Sequence, residues 1–211
     1  MKEWYARPGD QLEAAVEGFV IDIVRGDLLI EIQTANFSAL RRKLTALTEG
    51  HAVRLVHPIA REKWIVRLDA GGRPVSRRRS PRRGRVEDLF NELVHLPTLI
   101  TRPTFSLEIL LIQAEQVLQD DGQGSWRRRG WSVVDHRLLN VVDQALFESP
   151  EDLLALLPPA LPHPFTNRDL AEALGVRLRL AQKMTYCLRK MGTVEVVGRQ
   201  GKAFLFTLLT G

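Results

Sequence analysis

The chain has 211 residues, of which 45% are hydrophobic and 26% are charged, a composition that excludes a disordered chain and a chain dominated by membrane spans. Its net charge is +5, which favours a polyanionic partner such as nucleic acid. The single Cys187 excludes an internal disulfide and a cysteine-rich zinc site, and no apolar run has the length of a membrane span or the form of a signal peptide. We therefore predict a cytoplasmic protein without membrane contact.

The first residues indicate the end of a helix followed by a three-stranded meander. Residues 2–6 have the pattern of a last helical turn, which Arg7-Pro8-Gly9-Asp10 would end. Residues 11–16 are predicted as the first strand, although their alanines also suit a helix. Residues 19–34 contain two further β-like runs around a tight turn.

Two acids in this hairpin, Asp22 and Glu31, are the most informative residues. Side chains alternate between the faces of a strand, so both carboxylates project away from the neighbouring isoleucines. A two-residue turn at Arg25-Gly26 would pair Asp22 with Leu29 and make Glu31 the diagonal neighbour of Asp22. The carboxylates would then converge among apolar residues, where a metal such as Mg²⁺ or Mn²⁺ would compensate their charge. An ordinary hairpin with an acidic solvent face is the alternative.

This arrangement resembles the PD-(D/E)XK nuclease superfamily, in which an Asp on one strand and an acid-x-Lys pair on the next bind Mg²⁺. The resemblance implies that Asp22, Glu31 and the carbonyl of Ile32 bind the metal. Gln33 stands at the lysine position, a departure from the usual motif, and would orient the attacking water. Glu13 matches an upstream acid of one branch, with an ordinary exposed acid as the alternative. A longer helix precedes the meander in that superfamily, so we also expect the true start to lie upstream of the first residue.

The segments after the hairpin follow the order of that nuclease core. We predict a helix over residues 38–48 with Ser38 as its N-cap, a buried strand over 53–59 that ends at Pro58, and another strand over 63–68. An amphipathic helix is predicted over 86–96 and a buried strand over 107–117, where a helix is the alternative.

Two side chains near these strands have open roles. His57 suits a structural histidine better than a group that faces the site. Lys63 is a candidate substitute for the missing motif lysine, with an ordinary surface residue as the alternative.

Arginines are concentrated in two clusters. The first lies within residues 73–85, and the second is Arg127, Arg128 and Arg129 between two tryptophans. Guanidinium groups can bind phosphate through two donors at once, so both clusters suit nucleic acid. A solvated linker is the alternative for the first cluster.

The last third of the chain has a second recognisable pattern. Residues 136–147 and 150–157 are predicted as helices. Thr166 and Asp169 form a capping box at the start of a helix that Gly175 ends, and a second helix runs from about Arg177 to Gly192. Residues 193–197 and 203–208 are predicted as a strand hairpin.

The order helix, glycine turn, helix and hairpin resembles the winged helix-turn-helix family. In that family the second helix enters the major groove of DNA and the hairpin touches the backbone. The resemblance implies DNA contacts by Arg179, Gln182, Lys183 and Tyr186 on the second helix and by Arg199 and Lys202 at the hairpin tip. A winged helix that binds protein is the alternative.

Together these observations predict an α/β protein: a PD-(D/E)XK-like mixed sheet with flanking helices over residues 1–124, then a mainly α winged-helix domain over 125–211. The predicted function is a Mg²⁺-dependent or Mn²⁺-dependent endonuclease that hydrolyses double-stranded or branched DNA. A catalytically inactive DNA-binding regulator and a nuclease subunit that depends on a helicase or other protein are the alternatives. The sequence leaves a homodimer open.

Overall fold

The computed structural model describes residues 1–122 and 130–209. The predicted DNA contacts Arg127, Arg128 and Arg129 and the predicted domain boundary at 124/125 lie outside the described residues. The helices are α1 (Lys2–Tyr5), α2 (Phe37–Leu47), α3 (Phe90–Leu93), α4 (Pro150–Leu154), α5 (Asn167–Leu174) and α6 (Leu178–Met191), with 3₁₀ turns at Val86–Leu89 and Leu99–Thr101. The strands are β1 (Gln11–Val16), β2 (Phe19–Arg25), β3 (Leu28–Ile32), β4 (Ala52–Leu68), β5 (Pro74–Arg79), β6 (Phe105–Asp120), β7 (Trp131–Phe147), β8 (Val194–Gln200) and β9 (Ala203–Leu208).

One large mixed sheet organises the described part of the chain. Six of its seven strands follow the order β1-β2-β3-β4-β6-β7, and the seventh, β5, pairs with β4. β1, β2 and β3 form an antiparallel meander, whereas β3 and β4 are parallel. Parallel neighbours need a crossover connection, which α2 provides. The predicted α/β class, with a mixed sheet and flanking helices, is therefore confirmed.

The hairpin between β2 and β3 has a different turn from the predicted one. Arg25 pairs with Leu28, so the turn residues are Gly26 and Asp27. Gly26 has a positive φ of 56°, which glycine adopts at the first position of such a turn without steric cost. The strand pairing is shifted by two residues from the prediction. One position beyond the pair Ile23–Ile30, the same register places Asp22 directly opposite Glu31.

Helix α2 begins without a side-chain cap. The predicted N-cap Ser38 is wrong, because the helix starts at Phe37 and its N-cap is Asn36 in the left-handed conformation. The backbone N–H of Phe37 donates instead to Glu92 Oε2 of α3, at 3.1 Å. A carboxylate from a neighbouring helix thus satisfies one of the first backbone donors of α2, which have no partner within the helix.

Strand β4 continues through Pro58, where we predicted its end. Its ladder with β3 extends from Ala52 to Val56, and its ladder with β5 extends from Trp64 to Leu68. Pro58 lies between these two stretches, so its missing N–H interrupts neither ladder. The two predicted strands are therefore one strand.

The prediction of a helix over residues 136–147 is wrong, because these residues belong to β7. The segment has leucines and valines at helical spacing, but it also has several β-branched residues. Its pairing with β6 decides the outcome, as tertiary context often overrides a local pattern. The predicted strand in β6 is confirmed, and its helical alternative is excluded.

The C-terminal elements match their predicted order. Thr166 caps α5, and Asp169 Oδ2 accepts from the Thr166 N–H at 2.8 Å, which completes the predicted capping box. Gly175 and Gly192 end α5 and α6 in the left-handed conformation. β8 and β9 then form an antiparallel hairpin.

The chain divides into two compact units, both discontinuous in sequence. The first comprises Met1–His57, Glu87–Ile109 and Ala145–Gly211, and its core includes Ile21, Ile30, Leu44, Phe165 and Leu188. The second comprises Pro58–Val86 and Leu110–Gln144. In this division the C-terminal helices share a unit with the meander, and the two consecutive domains with a boundary at 124/125 stay a prediction.

Candidate active site

Asp22 and Glu31 come together on neighbouring strands of the meander. The Asp22 N–H donates to Glu31 Oε1 at 3.3 Å, and the Ile32 N–H donates to Asp22 Oδ2 at 2.9 Å. Each carboxylate is thus held by the backbone of the opposite strand. The predicted convergence of the two acids is present, although the register that produces it is not the predicted one.

Glu31 is a buried carboxylate, with only 7% of its side chain exposed. Burial raises its pKa, and the nearby Asp22 charge adds to this effect. The ammonium group of Lys43, on α2, opposes it through a direct ion pair with Glu31 Oε1 and also donates to the Val20 carbonyl. Lys43 therefore supplies the positive charge that makes a buried anion tolerable.

A second lysine, Lys2 of α1, joins Asp22 to the upstream acid Glu13. Its Nζ atom lies 2.8 Å from both Asp22 Oδ1 and Glu13 Oε1, and these contacts raise the pKa of Lys2. Glu13 has a positive φ of 51°, an uncommon conformation for a residue with a side chain. Such backbone conformations cost about 1–3 kcal/mol and cluster at functional sites.

Gln33, at the lysine position of the motif, directs its amide away from the carboxylates. Its Nε2 donates to the Ala35 carbonyl at 2.5 Å, and its backbone carbonyl accepts from His57 Nδ1 at 2.7 Å. His57 is buried, its ring meets Phe37 edge-on, and burial lowers its pKa, so it is a neutral packed histidine at pH 7. Lys63, the other suggested lysine, belongs to the second unit and donates to Gln116 Oε1 at 3.3 Å.

The donor chemistry of this cluster suits a hard divalent cation. Carboxylate and carbonyl oxygens are the ligands that Mg²⁺ takes, usually with only one or two protein carboxylates. Each acid is already paired with an ammonium group, which shows that the position favours positive charge. Among the described residues, no group of three or more His, Cys, Asp or Glu side chains could hold a metal ion. Metal binding by Asp22, Glu31 and the Ile32 carbonyl therefore stays a prediction.

Residues 1–148 match the family described as "Domain of unknown function (DUF8091)". The chain belongs to this family. The match covers the meander, α2 and the whole of the large sheet, and therefore includes every residue of the carboxylate cluster.

A protein of Treponema pallidum (strain Nichols) is 29% identical to this DUF8091 member over 208 residues, which is 98% of the chain and 82% of the relative. The similarity therefore extends beyond the family match into α5, α6 and the C-terminal hairpin. No solved structure matches the chain. In the part of the chain that the structure describes, no helix has the length and apolar character needed to cross a bilayer.

The predicted DNA contacts of the C-terminal elements differ in accessibility. Arg179, Gln182 and Tyr186 are exposed on α6. Arg199 and Lys202 are exposed on the hairpin, and the Arg199 guanidinium lies 4.7 Å from the centre of the Phe204 ring.

Lys183 differs from the other predicted contacts on α6, because its Nζ donates to the carbonyl and to Oδ1 of Asn91, at 3.2 and 2.9 Å. It thereby joins α6 to α3.

Two residues of the carboxylate cluster, Lys2 and Lys43, were missed from the sequence. Lys43 carried a recognisable signal, since it is three residues from Leu40 and four from Leu47 on the apolar stripe of α2. A lysine on such a stripe needs a buried partner, which Glu31 provides.

The position of α1 depends on an ion pair that gives a pH-dependent prediction. Arg25 donates to Asp10 through Nε at 3.0 Å and through Nη2 at 2.8 Å, and Nη2 also donates to the Tyr5 carbonyl at 2.9 Å. The Arg25 guanidinium lowers the pKa of Asp10 to about 2. The unfolded carboxyl has a pKa of about 3.9, so this ion pair stabilises the fold above that pH and is lost as the pH falls towards 2.

Asp10→Asn should therefore lower the free energy of unfolding at pH 6. The difference in this free energy between the variant and the unaltered protein should shrink steadily between about pH 4 and pH 2. Urea denaturation at a series of pH values measures this difference. Asp27→Asn, at an exposed position of the β2–β3 turn, is the matched control and should show no such dependence. A deficit of Asp10→Asn that is equal at pH 6 and pH 2 would contradict the assignment.

Proposed function

We propose that this protein is a metal-dependent endonuclease of the PD-(D/E)XK type that hydrolyses phosphodiester bonds in DNA. The observation that carries the proposal is the meeting of Asp22 and Glu31 on β2 and β3, directly before the crossover helix α2 and the parallel strand β4. A meander, a helix and a parallel strand occur in the same order in that superfamily. The proposal thus rests on the position of the two acids in the fold as well as on their pairing.

The carboxylates would hold the metal together with the Ile32 carbonyl. Bound Mg²⁺ or Mn²⁺ would polarise the scissile phosphate and lower the pKa of a coordinated water. Glu31 is shielded from solvent and Asp22 is fixed by the Ile32 N–H, so both oxygens are positioned before any ligand arrives. Glu13, beside Asp22 through their shared contact with Lys2, would add a further acid at the edge of the site.

Lys43 is the candidate for the positive charge that Gln33 does not supply. Its ammonium group has three donors and can bind a phosphate oxygen or orient a water while it stays near Glu31. Gln33 donates to Ala35 and would have to rotate to reach a water molecule. We therefore assign electrostatic stabilisation of the developing negative charge to Lys43.

Targeting to DNA would come from α5, α6 and the β8–β9 hairpin, acting as a winged helix. The exposed cations Arg179, Arg199 and Lys202 suit phosphate contacts, and the exposed Gln182 and Tyr186 suit contacts in a groove. Lys183 has a different role in this proposal, because its bonds to Asn91 hold α6 in place.

An inactive DNA-binding regulator is the second candidate. It is favoured by the pairing of both carboxylates with lysines and by the orientation of Gln33 away from them. The two candidates differ in one measurement, since both would bind DNA but only the nuclease would cleave it. A supercoiled-plasmid assay with Mg²⁺ or Mn²⁺, compared with the same assay in EDTA, distinguishes the nuclease from the inactive regulator. The same assay with a helicase-containing extract added tests whether cleavage depends on a partner protein.

The first functional prediction concerns the metal ligands. Asp22→Asn and Glu31→Gln should each reduce plasmid cleavage below detection while DNA affinity in EDTA stays unchanged, because the amides keep the backbone hydrogen bonds but lose the charge. Asp27→Asn makes the same chemical change in the same hairpin and should cleave like the unaltered protein. Cleavage by either of the first two variants at the unaltered rate would remove these acids from the site.

The second prediction concerns Lys43. Lys43→Ala should lower the cleavage rate by about 100-fold or more, the usual effect of removing one group that stabilises developing charge. Gln33→Lys restores the common motif and should recover part of this loss in the double variant. Circular dichroism and thermal unfolding verify the fold, and full activity of a folded Lys43→Ala protein would show that the lysine is only a structural partner of Glu31.

The third prediction concerns the C-terminal cations. Replacing Arg179, Arg199 and Lys202 together by Gln should flatten the log–log salt dependence of DNA binding by up to about 2.7 units, at about 0.9 per phosphate contact. Lys183→Gln should change the slope little and should instead lower the unfolding temperature, because it breaks the link to Asn91. An unchanged slope in the folded triple variant would assign this hairpin and helix to a protein partner.

A further inference from the structure

The second compact unit contains a basic β-ribbon, formed by β5 and the C-terminal part of β4 within the sheet that continues through β6, and the proposed nuclease site does not use it. β5 pairs antiparallel with the C-terminal part of β4, with Trp64 opposite Arg79, Ile65 opposite Arg78 and Arg67 opposite Ser76. Directly opposite residues project from the same side of an antiparallel pair. The ribbon therefore has two faces with different sets of basic residues.

One face, which we name the paired face, carries Arg77 and Arg79. Arg77 Nε lies 2.7 Å from Glu115 Oε1, and Arg79 forms an ion pair with Glu62. Both guanidinium groups also lie over the ring of Trp64, at 5.0 and 5.8 Å from its centre. These arginines are neutralised and stacked within the ribbon.

The opposite face, which we name the open face, carries Arg61, Lys63, Arg67 and Arg78. Lys63 donates to the neutral amide oxygen of Gln116, and Arg67 lies over the Trp131 ring at 4.9 Å from its centre. Within residues 1–122 and 130–209, none of these four side chains forms an ion pair with a carboxylate, and the three arginines are exposed. In the described part of the chain, the positive charge on this face therefore has no carboxylate partner.

We propose that the open face binds the phosphate backbone of duplex DNA, as a contact surface separate from both the carboxylate site and the C-terminal hairpin. Alternate residues of a strand are about 6.7 Å apart, close to twice the axial rise of about 3.4 Å per phosphate of one DNA strand. The face offers guanidinium donors on paired strands, and the Arg67 guanidinium lies over the Trp131 ring.

The contrast between the faces provides a matched experiment. Arg67→Gln with Arg78→Gln removes two charges from the open face, and Arg77→Gln with Arg79→Gln removes two from the paired face. The full-length protein would be titrated against a fluorescent 20-base-pair duplex in EDTA, so that hydrolysis cannot contribute, over a series of salt concentrations. Because the measurement needs no cleavage, its failure would be distinct from a failure of the nuclease proposal.

The open-face variant should lose affinity, with a log–log salt slope that is flatter by about 1.8 units, at about 0.9 per lost contact. The paired-face variant, with the same net charge, should keep a slope close to that of the unaltered protein. Replacing Arg67 and Arg78 by Lys keeps the charge and should restore most of the slope. This result would show that the flatter slope of the Gln variant comes from the lost charges and not from a loss of fold.

Equal slopes for the two double Gln variants would overturn the proposal, because only overall charge would then matter. It would also be overturned if the folded open-face variant bound DNA normally but lost binding to vesicles with anionic lipid headgroups. In that outcome the open face would be a membrane contact.

Discussion

A negative charge buried at Glu31 is the constraint on which the site depends. A carboxylate that is almost shielded from solvent is costly unless a cation lies beside it. The protein meets this requirement with Lys43, which reaches Glu31 from the crossover helix between β3 and β4. Removal of one member of such a pair leaves the other charge unpaired, so Glu31 and Lys43 constrain each other and the placement of α2 over the strands.

Much of the fold could be predicted from local patterns. Alternating isoleucines identified β2 and β3, and the Thr166–Asp169 capping box with Gly175 identified both ends of α5. These signals are short-range, since a turn, a cap or an alternation is encoded by a few adjacent residues. The same patterns were sufficient to bring Asp22 and Glu31 together, because alternation fixes the face of a strand even when the turn is assigned incorrectly.

The features that escaped prediction depend on residues far apart in sequence. In residues 136–147, pairing with β6 overrides the helical spacing of the apolar residues. Strand β4 continues through Pro58, which lies between its ladder with β3 and its ladder with β5. The carboxylate that accepts from the first N–H of α2 belongs to Glu92, 55 residues from Phe37. Lys2 likewise joins the carboxylate cluster only after the chain has folded, whereas the apolar stripe of α2 marks Lys43 as a lysine that needs a partner but does not identify Glu31 as that partner.

The bonds of α3 give this fold a property beyond stability. Adjacent residues of α3 hold two other helices: Glu92 accepts from the start of α2, which carries Lys43, and Asn91 accepts from Lys183 of α6. All of these residues lie in the same compact unit. A ligand that displaces α6 would therefore act through α3 on the helix that neutralises Glu31. If α6 binds DNA and the carboxylates bind a cation as proposed, any coupling between the two sites is reciprocal, so each ligand would change the affinity of the other by the same factor.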